Sequence, residues 1–183
     1  MIICFFGLAG SGKSTQAGLL AEKLDYAHIS VGQLLRESHG EHLIEYMQKG
    51  RLINPMVVNE VLREALDKLI DKGVKGIILD GYPRQMEQAT WLIDNRQKYD
   101  VKLAVVIDVP EAEVAKRLLA RRRVDDNKEA IINRVKIFKT ETEPVIQYMK
   151  QSGVYILRVS GQPPIEEVSQ TIWNQVKNVA TIA

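Results

Sequence analysis

The fold of this chain is decided by the stretch Ile2-Ile3-Cys4-Phe5-Phe6-Gly7-Leu8-Ala9-Gly10-Ser11-Gly12-Lys13-Ser14-Thr15. Its apolar residues 2–6 predict a buried strand. Residues 7–14 fit the pattern G-x-x-x-x-G-K-[ST], and an apolar stripe with helical spacing follows over 13–24. Glycines in such a turn let successive N–H groups point inward, and the helix adds the positive end of its dipole. The stretch therefore predicts a loop that binds phosphate groups.

Further apolar runs alternate with helical patterns along the 183 residues. The other predicted strands are 26–29, 76–79, 103–107 and 154–159. The predicted helices are 13–24, 55–72, 86–99, 111–121, 126–151 with a kink at Pro144, and 164–179. Five strands that alternate with helices predict an α/β fold, with a parallel sheet covered by helices on both faces. Since neither a repeat nor a linker interrupts the pattern, we expect one domain, 1–183.

Composition narrows the classes of function. A formal charge of +2 gives no sign of a nucleic-acid or membrane partner. The single cysteine, Cys4, cannot form an internal disulfide, and no Cys/His spacing suggests zinc, so we interpret Cys4 as a buried strand residue. We find neither a signal peptide nor the roughly 18 apolar residues of a membrane span, and we expect a cytoplasmic protein.

One carboxylate follows a predicted strand. Asp80 comes directly after 76–79, and the carboxyl ends of parallel strands line the ligand crevice. We therefore expect Asp80 to face the phosphates and Mg²⁺, with a hydroxyl from Ser14 or Thr15 near the same ion. The alternative is that Asp80 is only a turn residue before Gly81.

Three motifs occur in order along the chain: Gly10-Ser11-Gly12-Lys13, Asp80-Gly81-Tyr82-Pro83-Arg84 and Arg123-Val124-Asp125-Asp126-Asn127. Together with Ser30–Arg36, Glu141–Pro144 and Gly161–Pro163 they resemble the adenylate kinase family, and more specifically the short-lid branch shared with uridylate-cytidylate kinases. The resemblance implies a P-loop NTPase fold with two arms, one over the monophosphate (30–53) and a very short lid over ATP (about 121–126). It also implies a monomer that transfers the γ-phosphoryl group of MgATP to a nucleoside monophosphate.

The resemblance implies a role for each residue that matches the motifs of the family. The implied ATP-binding residues are Gly10, Ser11, Gly12, Lys13, Ser14, Thr15, Arg117, Arg121 and Gln162. The implied monophosphate-binding residues are Val31, Arg36, Arg51, Leu52, Ile53, Gly81, Arg84, Gln88, Arg123 and Arg134. The implied catalytic residues are Lys13, Arg84, Arg121, Arg123 and Arg134, and those near Mg²⁺, directly or through water, are Ser14 and Asp80.

Elementary electrostatics supports the arginine-rich set. Two bound nucleotides place roughly six negative charges close together. Guanidinium groups bind phosphates through bidentate contacts, which an ammonium group cannot make. The acceptor is an ionised phosphate, so no general base is needed. The other interpretations of residues 121–123 are a solvated basic face or a nucleic-acid patch, and the absence of interleaved aromatic residues speaks against the patch.

Gln88 indicates which monophosphate is the acceptor. In adenylate kinases a glutamine at the matching position reads the AMP base, whereas the uridylate-cytidylate branch usually has asparagine, so Gln88 favours AMP. Val31 stands where adenylate kinases typically have threonine, and Gln33 replaces a common aspartate. A pyrimidine- or deoxynucleoside-monophosphate kinase is the runner-up. A nucleotide-binding protein with weak or lost turnover is the alternative of another class, motivated by the two short arms.

Overall fold

The computed structural model describes residues 1–38, 49, 51–121 and 128–181. In this part of the chain the strands are β1 (Ile2–Gly7), β2 (Ala27–Ser30), β3 (Ile77–Asp80), β4 (Val101–Asp108) and β5 (Tyr155–Ser160). The helices are α1 (Lys13–Leu24), α2 (Val31–Ser38), α3 (Pro55–Asp71), α4 (Met86–Asp94), α5 (Glu111–Arg121), α6 (Lys128–Ile137), α7 (Glu143–Gln151) and α8 (Ile165–Thr181). A π-helical turn, Phe138–Thr142, joins α6 to α7.

The five strands form one parallel sheet in the order β2-β3-β1-β4-β5. The α/β fold with a parallel five-stranded sheet is therefore confirmed. β1 lies at the centre, and its residue Phe5 is level with Asp80 of β3, which is itself level with Ser30 of β2. The ends of the three strands thus meet at one edge, directly beside the glycine-rich turn that follows β1.

Side chains of the central strand alternate between two hydrophobic layers. Ile2, Cys4 and Phe6 pack with α2, α3, α4 and α7, whereas Ile3 and Phe5 pack with α1 and α8 on the other face. Burying both faces explains why β1 is apolar at every position. The interpretation of Cys4 as a buried strand residue is confirmed, and burial raises the pKa of its thiol.

The structure differs from the predicted elements in three places. The first is α2, which was not predicted as a helix although Val31 and Leu35 are buried one turn apart. The second is α4, which ends at Asp94 instead of residue 99 because Asn95 caps it: its backbone N–H and its Nδ2, at 2.8 Å, both donate to Trp91 O.

The third difference is the helix predicted over 126–151, which divides into α6, the π-helical turn and α7. In the turn the Glu143 N–H donates to the Phe138 carbonyl, five residues back. Pro144 follows at once, and its ring lacks an N–H and would clash with the carbonyl of an ordinary α-helix. The wider π turn relieves this conflict, so the interruption lies just before the proline. None of the described helices combines the length and apolar character needed to cross a membrane.

Candidate active site

The glycine-rich turn places the start of α1 at the carboxyl edge of the sheet. Gly12 caps α1 with φ +90°, a left-handed conformation that favours glycine, and a Cβ at this position would meet no atom within 4 Å. The space beside Gly12, at the start of α1, is therefore open. A site made of N–H groups at the positive end of a helix binds anions, which supports the predicted phosphate loop.

Lys13 and Ser14 converge on Asp80. The Ser14 hydroxyl donates to Asp80 Oδ2 at 2.5 Å, and Lys13 Nζ lies 3.9 Å from Oδ1. Asp80 is buried, and among the described residues no hydrogen-bond donor reaches its Oδ1. Asp80 therefore lies where the strand pattern predicted, beside the loop, with one oxygen that keeps its capacity to bind a ligand or a cation.

A cavity of about 310 Å³ extends from the loop towards the start of α8. Its lining comprises Gly10, Ser11, Gly12, Thr15, Gln16, Arg117, Gly161, Pro163, Pro164, Ile165 and Val168. Arg117 is held against it by hydrogen bonds to Glu113, at 2.9 Å, and to the Gly161 carbonyl, at 3.0 Å. A Cβ on Gly161 would approach Ser11 O to 2.9 Å, so only glycine lets this wall close on the loop.

Two buried polar atoms of this wall have no hydrogen-bond partner among the residues that the structure describes. They are Ser11 Oγ and Gln16 Oε1. Gln16 Nε2 donates to the Ile165 carbonyl at 2.9 Å, and only the nitrogen end of an amide can do so, which fixes the orientation of the amide. Gln16 was not among the predicted site residues. Its signal in the sequence was a polar residue placed beside the apolar stripe of α1.

Gln162, one of the predicted ATP-binding residues, does not line this cavity. It lines a neighbouring open depression with Asp108, Pro110, Arg158 and Ser160, and its backbone N–H donates to Ser160 Oγ at 3.4 Å. Its neighbours in sequence, Gly161 and Pro163, line the cavity instead.

On the other side of the cleft, the loop after β3 carries Arg84. Arg84 Nε donates to the Gly81 carbonyl at 2.9 Å. Gly81 has φ +78°, and a Cβ here would approach Arg84 Nη2 to 2.8 Å, so the side chain folds over a position that requires glycine. The buried Gln88 accepts from the Arg84 N–H at 2.8 Å, and its Nε2 donates to Gln85 Oε1 at 3.2 Å.

Charged groups gather around Arg84. The side chain of Arg84 is exposed, and partial loss of hydration beside the protein lowers its pKa. Asp80 raises that pKa, while Arg134 and Arg36 lower it. Two other predicted arginines and the aspartate at the end of β3 therefore lie within electrostatic reach of Arg84.

The remaining predicted residues occupy different settings. Val31 and Ile53 are buried in the core below the cleft, Leu52 is half-buried, and Arg51 is exposed. Arg123, the side chain of Arg121, residues 39–48 and 50 of the predicted monophosphate arm and residues 122–126 of the predicted lid lie outside the described residues.

A glycine-rich loop between a central strand and a helix, at the carboxyl edge of a five-stranded parallel sheet, is the arrangement of the P-loop nucleotide-binding proteins. The sequence model of the family described as "Adenylate kinase" matches residues 5–154. The chain belongs to the adenylate kinase family and is a nucleoside-monophosphate kinase.

Similar proteins span most of the chain. The adenylate kinase of Prochlorococcus marinus (strain MIT 9515) is 40% identical over 156 residues, covering 81% of this chain and 84% of that protein. That of Leptospira biflexa is 35% identical over 187 residues, covering 95% and 98%. That of Rickettsia prowazekii is 34% identical over 215 residues, covering 97% and 99%.

Proposed function

We propose that this enzyme transfers the γ-phosphoryl group of MgATP to AMP and forms two molecules of ADP. The observation that carries the proposal is the convergence of Lys13 and Ser14 on Asp80. Arg84 lies within electrostatic reach of the same carboxylate, and Arg134 lies within electrostatic reach of Arg84. Cations that face one cleft from two sides suit a reaction between two polyanions. The names of the similar proteins point to the same pair of substrates.

The donor side would bind ATP through the loop and the cavity. We assign the triphosphate to the backbone of Gly10–Ser14 and to Lys13, and the base to the cavity beside Arg117. The cavity of about 310 Å³ is open on the loop side, so one ligand can occupy both. We retain Thr15, Arg121 and Gln162 as predicted ATP contacts.

The residues around Asp80 fit a magnesium ion. Asp80 Oδ1 is buried without a hydrogen-bond donor among the described residues, and Ser14 Oγ lies beside the same carboxylate. These are hard oxygen donors of the type Mg²⁺ prefers. No cluster of three or more metal-binding side chains occurs in the described ranges, which suits an ion held mainly by nucleotide phosphates and water. When bound, Mg²⁺ neutralises charge that develops on the phosphates.

The acceptor side would bind the monophosphate with Arg36, Arg84 and Arg134, joined by the predicted contacts Arg51, Gly81, Gln88 and Arg123 and by Val31, Leu52 and Ile53. A phosphate oxygen of AMP attacks the γ-phosphorus, and a new P–O bond forms. The bond from that phosphorus to the bridging oxygen breaks, and its electron pair stays on the β-phosphate of ADP. Lys13 and the arginines stabilise the charge that spreads over the transferring group, and no proton need be removed.

A panel of acceptors tests the proposal. Initial rates with ATP and each of AMP, CMP, UMP, GMP and dTMP would be followed by coupled detection of ADP. We expect the highest kcat/KM with AMP. A preference for CMP or UMP would make this a pyrimidine-nucleotide kinase. Binding of ATP without turnover of any acceptor would indicate a nucleotide-binding protein instead.

A further inference from the structure

Buried side chains from two different elements hold both backbone polar groups of Arg84. Gln88 Oε1 accepts from the Arg84 N–H at 2.8 Å, and the Thr142 hydroxyl donates to the Arg84 carbonyl at 3.2 Å. Gln88 is 3% exposed and Thr142 is 4% exposed. The two bonds come from separate elements, since Gln88 lies four residues after Arg84 in α4 and Thr142 lies 58 residues after it. The peptide that bears Arg84 is therefore fixed at both ends.

Thr142 connects this peptide to the helix that carries Arg134. Arg134 lies in α6, which continues through the π-helical turn to Thr142. The widened turn sets the direction of the Thr142 side chain, and Pro144 just beyond it makes an ordinary helical path unfavourable. The bond from Thr142 to the Arg84 carbonyl thus attaches the loop with one arginine to the helix with the other.

Electrostatics explains why such an attachment is needed. Arg134 and Arg36 each disfavour the charged form of Arg84 by repulsion, whereas Asp80 favours it. Before an anionic phosphate arrives, this repulsion tends to separate the arginine-bearing segments. A site that reacts quickly must keep them in place beforehand, because reorganisation during the reaction raises the barrier.

We propose that Thr142 is a positioning residue that, together with Gln88, fixes Arg84 relative to Arg134 so that one acceptor phosphate meets both. The inference rests on the proposed function. It gives Gln88 a structural role in addition to the predicted contact with the AMP base, because its amide oxygen accepts a hydrogen bond from the Arg84 N–H.

This role can be tested with substitutions that distinguish the effect of losing the hydroxyl from the effect of changing the shape of the side chain. Thr142→Val removes the hydroxyl and keeps the volume, and Thr142→Ser keeps the hydroxyl. The matched control is Thr171→Val, which removes an exposed hydroxyl that donates to the Glu167 carbonyl in α8. The measurements are kcat, the KM of AMP, the KM of ATP and the melting temperature for each protein.

We expect Thr142→Val to raise the KM of AMP and to lower kcat, so that kcat/KM for AMP falls by about tenfold, the loss associated with one buried hydrogen bond. The KM of ATP should stay within about twofold. Thr142→Ser should restore most of both values, and Thr171→Val should leave all of them unchanged. An NMR signal from Arg84 Nε–H that shifts in Thr142→Val and returns in Thr142→Ser would support the same conclusion without turnover.

The inference is wrong if Thr142→Val lowers only the melting temperature, or if the KM values of AMP and ATP rise together. Thr142→Ala serves as a second variant should Thr142→Val fail to fold, and failure of both would show that the hydroxyl has a purely structural role. Absence of turnover in the unmodified enzyme with every acceptor would instead contradict the proposed function. The two failures are therefore distinguishable.

Discussion

The donor and acceptor sides of the cleft treat their buried polar groups in opposite ways. Among the described residues, the buried side-chain atoms without hydrogen-bond partners are Ser11 Oγ, Gln16 Oε1 and Asp80 Oδ1, and all three belong to the donor side. On the acceptor side, the buried Gln88 and Thr142 are bonded to the Arg84 peptide. The donor side is left for its ligand to complete, whereas the acceptor side is already held together by the protein.

The contrast follows from what each side must overcome. An unsatisfied buried polar group costs about 1–3 kcal/mol, so the free donor side is less stable than a fully bonded one. Bound nucleotide can recover this energy. The acceptor side instead carries neighbouring cations that repel one another, and internal hydrogen bonds keep them together until a phosphate binds.

The largest effect is expected on the donor side, from Lys13→Met. Lys13 is the loop side chain that brings positive charge to the β- and γ-phosphates, and such contributions are worth about 3–4 kcal/mol or more. Turnover should fall by several orders of magnitude while circular dichroism and the melting temperature stay close to those of the unmodified enzyme. Lys75→Met is the control, since Lys75 is an exposed lysine paired with Asp25. Near-normal turnover in Lys13→Met would remove the assigned role of the loop.

Asp80→Asn should separate activity from stability. Asparagine keeps the size of the side chain and an oxygen that can accept from Ser14, but it removes the negative charge beside Lys13, so the free enzyme should lose about 1–3 kcal/mol of stability and remain folded. Turnover should fall by about 10²–10³-fold, because the carboxylate no longer orients Lys13 and Ser14 or attracts a cation. Asp108→Asn, at the end of β4, is the matched variant and should have a far smaller effect on kcat. Near-normal turnover of Asp80→Asn at a temperature where the variant stays folded would identify Asp80 as a structural residue.

Gln88→Ala is the corresponding test of the acceptor side. We expect the KM of AMP to rise by about 10–100-fold, since a buried amide is lost both from the predicted contact with the base and from the Arg84 peptide. The KM of ATP should change little, and discrimination against CMP and UMP should weaken. Gln170→Ala removes an exposed glutamine of α8 as a control. Unchanged kinetics with AMP would mean that the base is recognised elsewhere.

A smaller effect is expected from Gln16→Met. Methionine keeps the volume but removes the amide whose oxygen has no partner in the described structure, so stability should change by less than about 1 kcal/mol. If ATP donates a hydrogen bond to this oxygen, Gln16→Met should raise the KM of ATP by about five- to tenfold and leave the KM of AMP unchanged. Calorimetric titration with ATP would measure the same difference directly. Equal affinity of both proteins for ATP would show that Gln16 only supports α8 through the Ile165 carbonyl.

Local patterns predicted most of the fold. Strand β1, the loop and α1 could be predicted because three patterns follow one another within a short stretch: an apolar run, a cluster of glycines and an apolar stripe with helical spacing. The position of Asp80 followed from the rule that parallel strands present their carboxyl ends together. The end of α4 was missed because a side-chain hydrogen bond of Asn95 stops a helix whose apolar period continues.

Side-chain partnerships across the fold could not be predicted. The bond from Thr142 to the Arg84 carbonyl joins residues far apart in sequence, and it depends on a π-helical turn that no residue pattern specifies. The partner of Gln16 is likewise a carbonyl 149 residues away. The arginines were found only through the resemblance to a family, because an isolated arginine in a sequence has no partner to identify it.

The transfer itself can be followed most directly with [γ-³²P]ATP. The labelled donor would be mixed with unlabelled AMP and Mg²⁺, and the products would be separated during the first turnovers. We predict that the label appears in ADP, one molecule for each ATP consumed, and only when AMP is present. Label released as inorganic phosphate, or retained in ATP while the protein is shown to bind both nucleotides, would contradict phosphoryl transfer between them.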